Sequence, residues 1–339
     1  MKVVALFSGC GGLDLGLVKS GHDIVHASDI DIDSCTTYNN NFKHECHNID
    51  VKKLESKTLP KYDLLVGGFP CQGFSVANLY REVSDSRNEL YLQIVRLLKE
   101  TTPKYFLAEN VPGILSLGKG EVVKMIVNDF TNIGIDKGFP GYEVHVFLLN
   151  SANYGVPQGR KRVIFLGVSK KVSQKQRDIL FSNFPPKITH DDKNSKLKPF
   201  KTLRDAIGDL PEPNEKSAEK ILNHVGLKHK VKLNGYMGNR ELDWNKPGPT
   251  IVGRGGGTGG PVIAVHPNLE RRFTVRETAR IQSFPDNFKF YGSISSQFRQ
   301  IGNAVPVKMA FEIGKVLRDF EIGKLEIKVA QKNVREILF

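Results

Sequence analysis

The feature that most constrains this chain is an alternation of short apolar runs with amphipathic segments, which continues to about residue 168. The runs KVVALF, DIVHASD, YDLLVGG and YFLAEN are typical of buried strands, and LDLGLVKSG and LYLQIVRLLKE between them have helical spacing. This βαβ rhythm predicts an α/β fold with a doubly wound, mostly parallel sheet. Two later runs, YEVHVFLLN and RVIFLGV, flank the turn-rich segment SANYGVPQGRK and predict an antiparallel pair at one edge.

The pattern changes after residue 170, where the periodicity fades, Pro and Lys become frequent, and GRGGGTGGP forms a glycine loop. We therefore expect one α/β domain over residues 1–170 and a smaller, irregular domain over 171–290. A C-terminal segment, 291–339, is expected to return to the first domain. Beyond residue 272, TVRETARIQSF has a Thr followed by Glu in capping-box spacing, and VPVKMAFEIGKVLRDFEIGK predicts a closing amphipathic helix.

Charge and composition narrow the class of partner. The formal net charge is +13, and residues 171–272 hold 19 Lys and Arg against 11 Asp and Glu, which makes this stretch the expected polyanion-facing surface. Charge alone does not distinguish nucleic-acid binding from an ordinary basic protein. The apolar runs are far shorter than the roughly 20 residues that cross a bilayer, so we expect a cytoplasmic protein. The four cysteines show neither CxxC nor His/Cys spacing, so no metal site and no disulfide framework is expected.

The segment FSGCGGLDLG, between the first strand and the first helix, indicates a ligand-binding turn. A dinucleotide fingerprint that starts at Gly9 needs glycine at position 14, where this chain has Asp14. Asp29, at the end of the second strand, can accept hydrogen bonds from ribose hydroxyls. A helix N-terminus near an acid suits S-adenosylmethionine, and Asp50 is a possible adenine contact. A tight turn beside a solvated acid remains the alternative.

The segment GGFPCQGFS places Cys71 directly after Pro70 at a strand end, where doubly wound sheets bind ligands. A reactive cysteine needs its thiolate stabilised by nearby positive charge, which Arg160 and Arg162 can supply. Glu109, in AENVPG, is expected at the same edge, where a buried carboxyl can stay protonated. Taken singly, each residue also has a structural explanation, because free cysteines are usually buried and inert.

Six segments together resemble the ordered motifs of the bacterial cytosine-C5 DNA methyltransferases of restriction-modification systems. They are FSGCGG, GGFPCQGFS, ENV, QGRKR, RRFTVRETARIQSFPD and QIGNAVP, over roughly residues 1–168 and 270–320. The resemblance implies a methyltransferase fold that uses S-adenosyl-L-methionine, with residues 171–290 as a target-recognition domain. It implies methylation of a flipped cytosine in a short duplex DNA sequence through attack of Cys71 on C6. A monomer that protects host DNA from a cognate endonuclease is the expected biological unit.

The resemblance also assigns roles to individual residues. The catalytic residues are Cys71, Glu109, Arg160 and Arg162, and the substrate-binding residues are Phe69, Asn110 and Thr250. Arg254, set among glycines, is the candidate base contact because a guanidinium can bind guanine O6 and N7, with a phosphate contact or a solvated loop charge as the alternative. The cofactor-binding residues are Phe7, Ser8, Gly9, Gly11, Asp29, Asp50, Pro70, Asn303 and Val305. Asp29 departs from the glutamate more usual at its position, which leaves the geometry of the ribose contact open.

Three alternative functions remain from the sequence. The tRNA-methylating branch of the same family shares the motifs but has a reduced second domain, whereas about 100 basic, irregular residues separate QGRKR from RRFTVRE here. A nicotinamide-dependent oxidoreductase is disfavoured by Asp14. A non-catalytic DNA-binding protein has no use for Cys71, Glu109 and the paired arginines together.

Overall fold

The computed structural model describes residues 1–69, 89–228, 231–235, 238–253 and 263–327. Within these ranges the strands are β1 (Lys2–Leu6), β2 (Asp23–Asp29), β3 (Cys46–Asn48), β4 (Leu64–Gly68), β5 (Tyr105–Asn110), β6 (Tyr142–Asn150) and β7 (Lys161–Ser169). The helices are α1 (Gly12–Lys19), α2 (Ile32–Asn39), α3 (Glu89–Thr101), α4 (Glu121–Thr131), α5 (Gln174–Asn183), α6 (Leu203–Ile207), α7 (Val275–Ile281), α8 (Ile294–Asn303) and α9 (Val307–Glu321).

The described strands form one sheet in the order β3-β2-β1-β4-β5-β7-β6. Strands β1 to β5 run parallel to one another, and β7 lies antiparallel between β5 and β6. The predicted doubly wound, mostly parallel sheet with an antiparallel pair at one edge is therefore confirmed. Because the order reverses direction at β1 and β4, the carboxyl ends of these two strands mark a switch point where such sheets bind ligands.

Two hydrophobic clusters cover the two faces of the sheet, and the alternation of side chains along β1 divides it between them. Val3 and Ala5 join a cluster that contains residues of α1 and α9. Val4 and Leu6 point the other way, into a cluster that contains residues of α3 and α4. Both faces are buried, which explains why the strands read as continuous apolar runs.

Residues after β7 divide between two regions of packing. Leu180 and Phe184, at and just after α5, pack in the same cluster as Met309 and Leu317 of α9. Packing against α9 thus continues past residue 170, and the expected domain bounds stay a prediction. A third cluster joins residues of α6, α7 and α8 to the irregular region.

The start of α7 confirms the predicted capping box. The backbone N–H of Glu277 donates to the Thr274 hydroxyl at 3.2 Å, and the N–H of Thr274 donates to the Glu277 carboxylate at 2.7 Å. The predicted closing helix is α9. Over the described part of the chain, no helix is long and apolar enough to span a membrane.

Candidate active site

One large cavity lies at the carboxyl edge of the parallel strands. It encloses about 1140 Å³, and its walls come from the turns after β1, β2, β4 and β5, from the start of β7, and from segments 250–253 and 299–305. The predicted site residues that line it are Phe7, Ser8, Gly9, Asp29, Asp50, Phe69, Glu109, Asn110, Arg160, Arg162, Thr250, Asn303 and Val305. Residues far apart in sequence thus meet at the edge where open α/β sheets bind ligands.

The other four predicted site residues fall into two groups. Pro70, Cys71 and Arg254 lie outside the described residues, so their contacts stay predictions. Gly11 is described but does not line the cavity. It has a φ of +90°, and a Cβ there would lie 2.5 Å from the Phe42 ring and 2.9 Å from the Tyr38 ring. Packing and backbone conformation, rather than the cavity, account for this glycine.

The turn after β1 is held in its shape by a carboxylate. The N–H of Gly9 donates to Asp29 Oδ2, and the N–H of Asp31 donates to Asp29 Oδ1, both at 2.8 Å. Burial raises the pKa of Asp29, while these amide hydrogen bonds act in the opposite direction. Phe7 in the same turn has a φ of +54°, a strained conformation for a non-glycine residue. Each Asp29 oxygen retains acceptor capacity for a further donor.

A second buried carboxylate, which the sequence did not predict as a site residue, lines the same end of the cavity. Asp14 is 1% exposed and accepts a 2.8 Å hydrogen bond from the Tyr38 hydroxyl. Burial raises the pKa of Asp14 to about 6, and the Tyr38 hydrogen bond opposes that rise. The sequence identified Asp14 only as an argument against a dinucleotide, because nothing in the local pattern shows that α1 turns this side chain towards the cavity.

The other end of the cavity contains a carboxylate paired with an arginine. Glu109 of β5 lies opposite Gly68 of β4, and its Oε1 is 2.6 Å from Arg162 Nε. A Cβ on Gly68 would lie 2.8 Å from Glu109 Oε2, so the glycine makes room for the carboxyl. Burial raises the pKa of Glu109, whereas Arg162 and Arg160 oppose the rise. Such a carboxyl is suited to holding or releasing a proton.

Asn110 fixes the end of β4 immediately before the Pro-Cys segment. Its Nδ2 donates to the carbonyl of Phe69 at 3.0 Å. Phe69 is 3% exposed and packs against the rings of Tyr91 and Phe165. These contacts support the expectation that Asn110 holds the site together, and they make Phe69 an anchored part of the wall.

Arg160 is 1% exposed and joins two distant segments. Its Nη1 donates to the Ile251 carbonyl at 2.5 Å and its Nη2 to the Gly302 carbonyl at 2.7 Å. Among the described residues its Nε has no partner, and burial lowers the pKa of the guanidinium to about 9. The hydroxyl of Thr250 is likewise engaged by the protein, because it donates to the Gly159 carbonyl at 2.8 Å.

Comparison with known proteins decides the family. A family model described as C-5 cytosine-specific DNA methylase matches residues 1–319. The chain belongs to this family. It is therefore a DNA cytosine-5 methyltransferase, and the resemblance noted in the sequence is confirmed.

Individual relatives agree with this assignment. The methyltransferase is 35% identical to type II methyltransferase M.FnuDI of Fusobacterium nucleatum, over 99% of this chain and 98% of the relative. It is 36% identical to M.BsuRI of Bacillus subtilis, over 96% of this chain and 81% of the relative. The solved structure of a prophage protein of E. coli, named as a putative DNA modification methyltransferase, matches with a TM-score of 0.69 at 28% identity. The match covers 95% of this chain and 99% of the prophage protein. S. pombe Dnmt2 has a TM-score of 0.64 at 20% identity over 94% and 98%, and this supports the fold alone.

Three further residues of the methyltransferase belong with the site but were missed in the sequence. Ile30 lines the cavity beside Asp29 and is 69% exposed, which is unusual for a large apolar side chain. Gln158 and Gln282 are fully buried and hydrogen-bonded to each other at 3.0 Å. Gln158 stands inside the recognised QGRKR segment, but its partner 124 positions later cannot be inferred from spacing.

Family and fold imply S-adenosylmethionine as the methyl donor, and the residues present fit that molecule. Helix α1 begins beside the cavity without a side-chain cap, which leaves its N-terminal amides available for a carboxylate. No atom of the described residues approaches within 4 Å of where a Cβ on Gly9 would lie, so this part of the structure leaves the turn open to a ligand. Asp29 and Asp14 supply acceptors for hydroxyl and ammonium groups.

Proposed function

We propose that this enzyme methylates C5 of one cytosine within a short, specific sequence of duplex DNA, and that Cys71 forms a transient covalent bond to C6 of that base. The observation that carries the proposal is the buried Glu109 carboxyl, paired with Arg162 and seated against Gly68 at the end of β4. Cys71 follows Phe69 by two residues. The nucleophile assigned by the resemblance is therefore the second residue after one that lines this cavity.

The chemistry requires a nucleophile because C5 of an aromatic cytosine reacts poorly. Addition of the Cys71 thiolate to C6 saturates that position and makes C5 electron-rich. Glu109 would hydrogen-bond N3 and the exocyclic amino group, which stabilises the ring as charge builds up on it. S-adenosyl-L-methionine supplies an electrophilic methyl group when it is bound. Loss of the C5 proton and then of the Cys71 thiolate restores the aromatic ring.

The cavity suits a base that has left the helix. Chemistry at C5 and C6 cannot be reached within a stacked duplex, so the cytosine must flip out at a cost of a few kcal/mol. At about 1140 Å³, the cavity is larger than one drug-sized ligand requires, which leaves room for a base beside a cofactor. Phe69, Asn110 and Arg162 line the part nearest Glu109 and would compensate the cost of flipping.

Sequence specificity would lie within residues 171–272, with Thr250 and Arg254 as the expected contact residues. An arginine can bind guanine O6 and N7 through two hydrogen bonds. The relatives M.FnuDI and M.BsuRI are type II methyltransferases. On this basis we propose that the enzyme acts as a monomer, binds S-adenosyl-L-methionine through the residues around Asp29, and protects host DNA from a cognate endonuclease.

The test has two steps. Sequencing methylated cytosines in DNA from cells that express the protein identifies the site. A duplex of that sequence with 5-fluorocytosine at the target should then give a covalent complex in the presence of S-adenosylmethionine, because fluorine cannot leave as a cation. Mass spectrometry should locate the adduct on Cys71.

Matched variants sharpen the result. Cys71→Ala should give no adduct, whereas Cys46→Ala, which removes a buried thiol outside the cavity wall, should still give one. An adduct that persists in Cys71→Ala would overturn the assignment of the nucleophile. Methylation of tRNA instead of duplex DNA would overturn the proposed substrate.

A further inference from the structure

Residues 248–253, at the edge of the expected recognition region, are bonded to the loop that carries Arg160. The N–H of Gly248 donates to the Pro157 carbonyl at 2.9 Å, and the N–H of Gly159 donates to the Gly248 carbonyl at 2.8 Å. We call residues 248–253 the recognition segment. Its first residue is thus fixed to the catalytic domain by paired backbone hydrogen bonds.

The far end of the recognition segment lies directly on the turn 302–305, which contains the predicted cofactor contacts Asn303 and Val305. A Cβ on Gly302 would overlap the Val252 carbonyl group and the Gly253 nitrogen. A Cβ on Gly253 would overlap the Asn303 side chain. The two backbones are therefore in direct contact, and glycine at both positions allows it.

A chain of buried amides connects the recognition segment to Ile301, the residue immediately before the turn 302–305. The Ile251 N–H donates to Gln158 Oε1 at 2.9 Å, and Gln158 Nε2 donates to Gln282 Oε1 at 3.0 Å. Gln282 Nε2 then donates to the Ile301 carbonyl at 2.9 Å. Both glutamines have no exposed surface. Each glutamine accepts one hydrogen bond through its side-chain oxygen and donates another through its side-chain nitrogen. Only an amide group can do both in this arrangement.

Arg160 provides a second connection beside this chain, since it donates to both the Ile251 and the Gly302 carbonyls. Ile251 is thus held through its N–H by Gln158 and through its carbonyl by Arg160. Neither Gln158 nor Gln282 lines the cavity. Their effect on the reaction must therefore pass through the segments that they hold.

We propose that Gln158 and Gln282 are positioning residues that keep the recognition segment in register with the turn 302–305, and that turnover on DNA requires this register. The inference rests on the proposed function. It predicts that the donor at position 282, and not merely the volume of the side chain, is needed. Buried partners left without a donor lose the full value of the hydrogen bond, because water cannot replace it.

Gln282→Glu tests the donor directly. At pH 8 an introduced carboxylate accepts from Gln158 but cannot donate to the Ile301 carbonyl, and we expect kcat on the mapped duplex to fall about tenfold or more. Burial raises the pKa of such a carboxyl. Its protonated form donates again, so the ratio of variant to wild-type kcat should rise as the pH is lowered to 6. The variant is compared with the wild type at each pH because burial raises the pKa of Asp14, in the cavity wall, to about 6. Any effect of Asp14 protonation on kcat is then shared by both proteins.

Charged groups on the segments around Gln282 determine how far the pH must fall. They are Arg160 on the loop of Gln158, Arg280 on α7 and Lys308 at the start of α9. Arg280 is already paired with Asp209 at 2.6 Å and Asp286 at 2.7 Å. The charges of Arg160 and Lys308 favour the ionised form of the introduced acid, which shifts the recovery to lower pH without changing its direction.

Three variants complete the experiment. Gln282→Leu should lose activity at both pH values, because it has no group that protonation can restore. Gln297→Glu on α8 lies outside the cavity wall and should have the wild-type kcat at both pH values. Gln158→Glu should repeat the behaviour of Gln282→Glu, because it too keeps its acceptor and loses its donor. Thermal unfolding of each variant verifies that it is folded.

The contrary outcomes are distinct. Wild-type kcat for Gln282→Glu at pH 8, or a loss that does not recover at pH 6, would overturn the inference. Unfolding of both glutamate variants at pH 8 would also overturn it, because the pair would then serve stability alone. If the wild-type protein methylates no DNA, the proposed function fails instead.

Discussion

At the scale of single residues, Glu109 shows both what the sequence predicted and what it missed. The segment AENVPG indicated a carboxyl at the ligand-binding edge, and the structure places Glu109 in the cavity wall. Its pairing with Arg162 was not predicted, because the sequence assigned that arginine to Cys71. The pairing depends on the antiparallel register of β5 with β7, in which Asn110 lies opposite Val163. Register between strands so far apart in the chain leaves no local signal.

We predict that Glu109→Gln keeps cofactor binding and loses most of its turnover. The amide fills the same space beside Gly68, but it cannot exchange a proton with the base, which is worth on the order of 10²-fold or more in kcat. Calorimetric titration with S-adenosylmethionine and single-turnover kinetics on the mapped duplex measure the two quantities separately.

The matched control for that variant is Glu143→Gln on β6. It also removes a carboxylate paired with an arginine, Arg177, at 2.7 Å, but it lies outside the cavity wall. This control should turn over at the wild-type rate. A wild-type single-turnover rate in Glu109→Gln would show that Glu109 has a different role.

At the scale of elements, the sequence predicted α1 and α9 but not their close contact. A Cβ on Gly16 of α1 would overlap the Cβ of Ala310 in α9, and a Cβ on Gly314 of α9 would overlap the Ser20 hydroxyl. Small residues on both helices thus bring the backbones together beneath the turn that lines the cavity. Helical periodicity identifies each apolar face, but it does not show which helix covers it.

We predict that Gly16→Ala lowers stability, although alanine is the better helix former. The gain in helix propensity is about 1 kcal/mol, whereas overpacking of a tight contact costs about 1–3 kcal/mol. The new methyl would lie 2.6 Å from the Phe311 nitrogen, a backbone atom that cannot rotate away, so the cost should exceed the gain. Thermal unfolding should show a lower midpoint.

Gly113→Ala provides the comparison for this variant. Across the part of the chain that the structure describes, no atom lies within 4 Å of the added methyl group, so the midpoint should change little. An equal or higher midpoint for Gly16→Ala than for the wild type would mean that α1 and α9 can separate without cost.

At the scale of the whole molecule, the sequence predicted the α/β class, the sheet edge that binds ligands and a part of the cavity wall. It did not predict the surface that meets DNA. The excess of basic residues in 171–272 suggested a polyanion-facing surface, but several arginines in or next to that stretch serve the fold. Arg272 and Arg276 are at most 1% exposed and donate to backbone carbonyls, and Arg271 pairs with Glu212 and Glu277. Composition counts such charges equally with those that face solvent.

The last prediction follows from this division of roles. Replacing residues 190–272 with the corresponding region of a relative that methylates a different mapped site should transfer the new specificity. The exchange begins after α5, because Leu180 and Phe184 pack with the sheet and not with the exchanged region. It retains Gln158, Arg160 and Gln282, so the host enzyme must still hold Ile251's counterpart through these partners. Sequencing methylated cytosines after expression of the chimera measures the outcome. An active chimera that methylates the original sequence would place the specificity determinant outside residues 190–272. If the amide chain fits the new segment less well, the chimera should methylate the donor's sequence at a reduced rate.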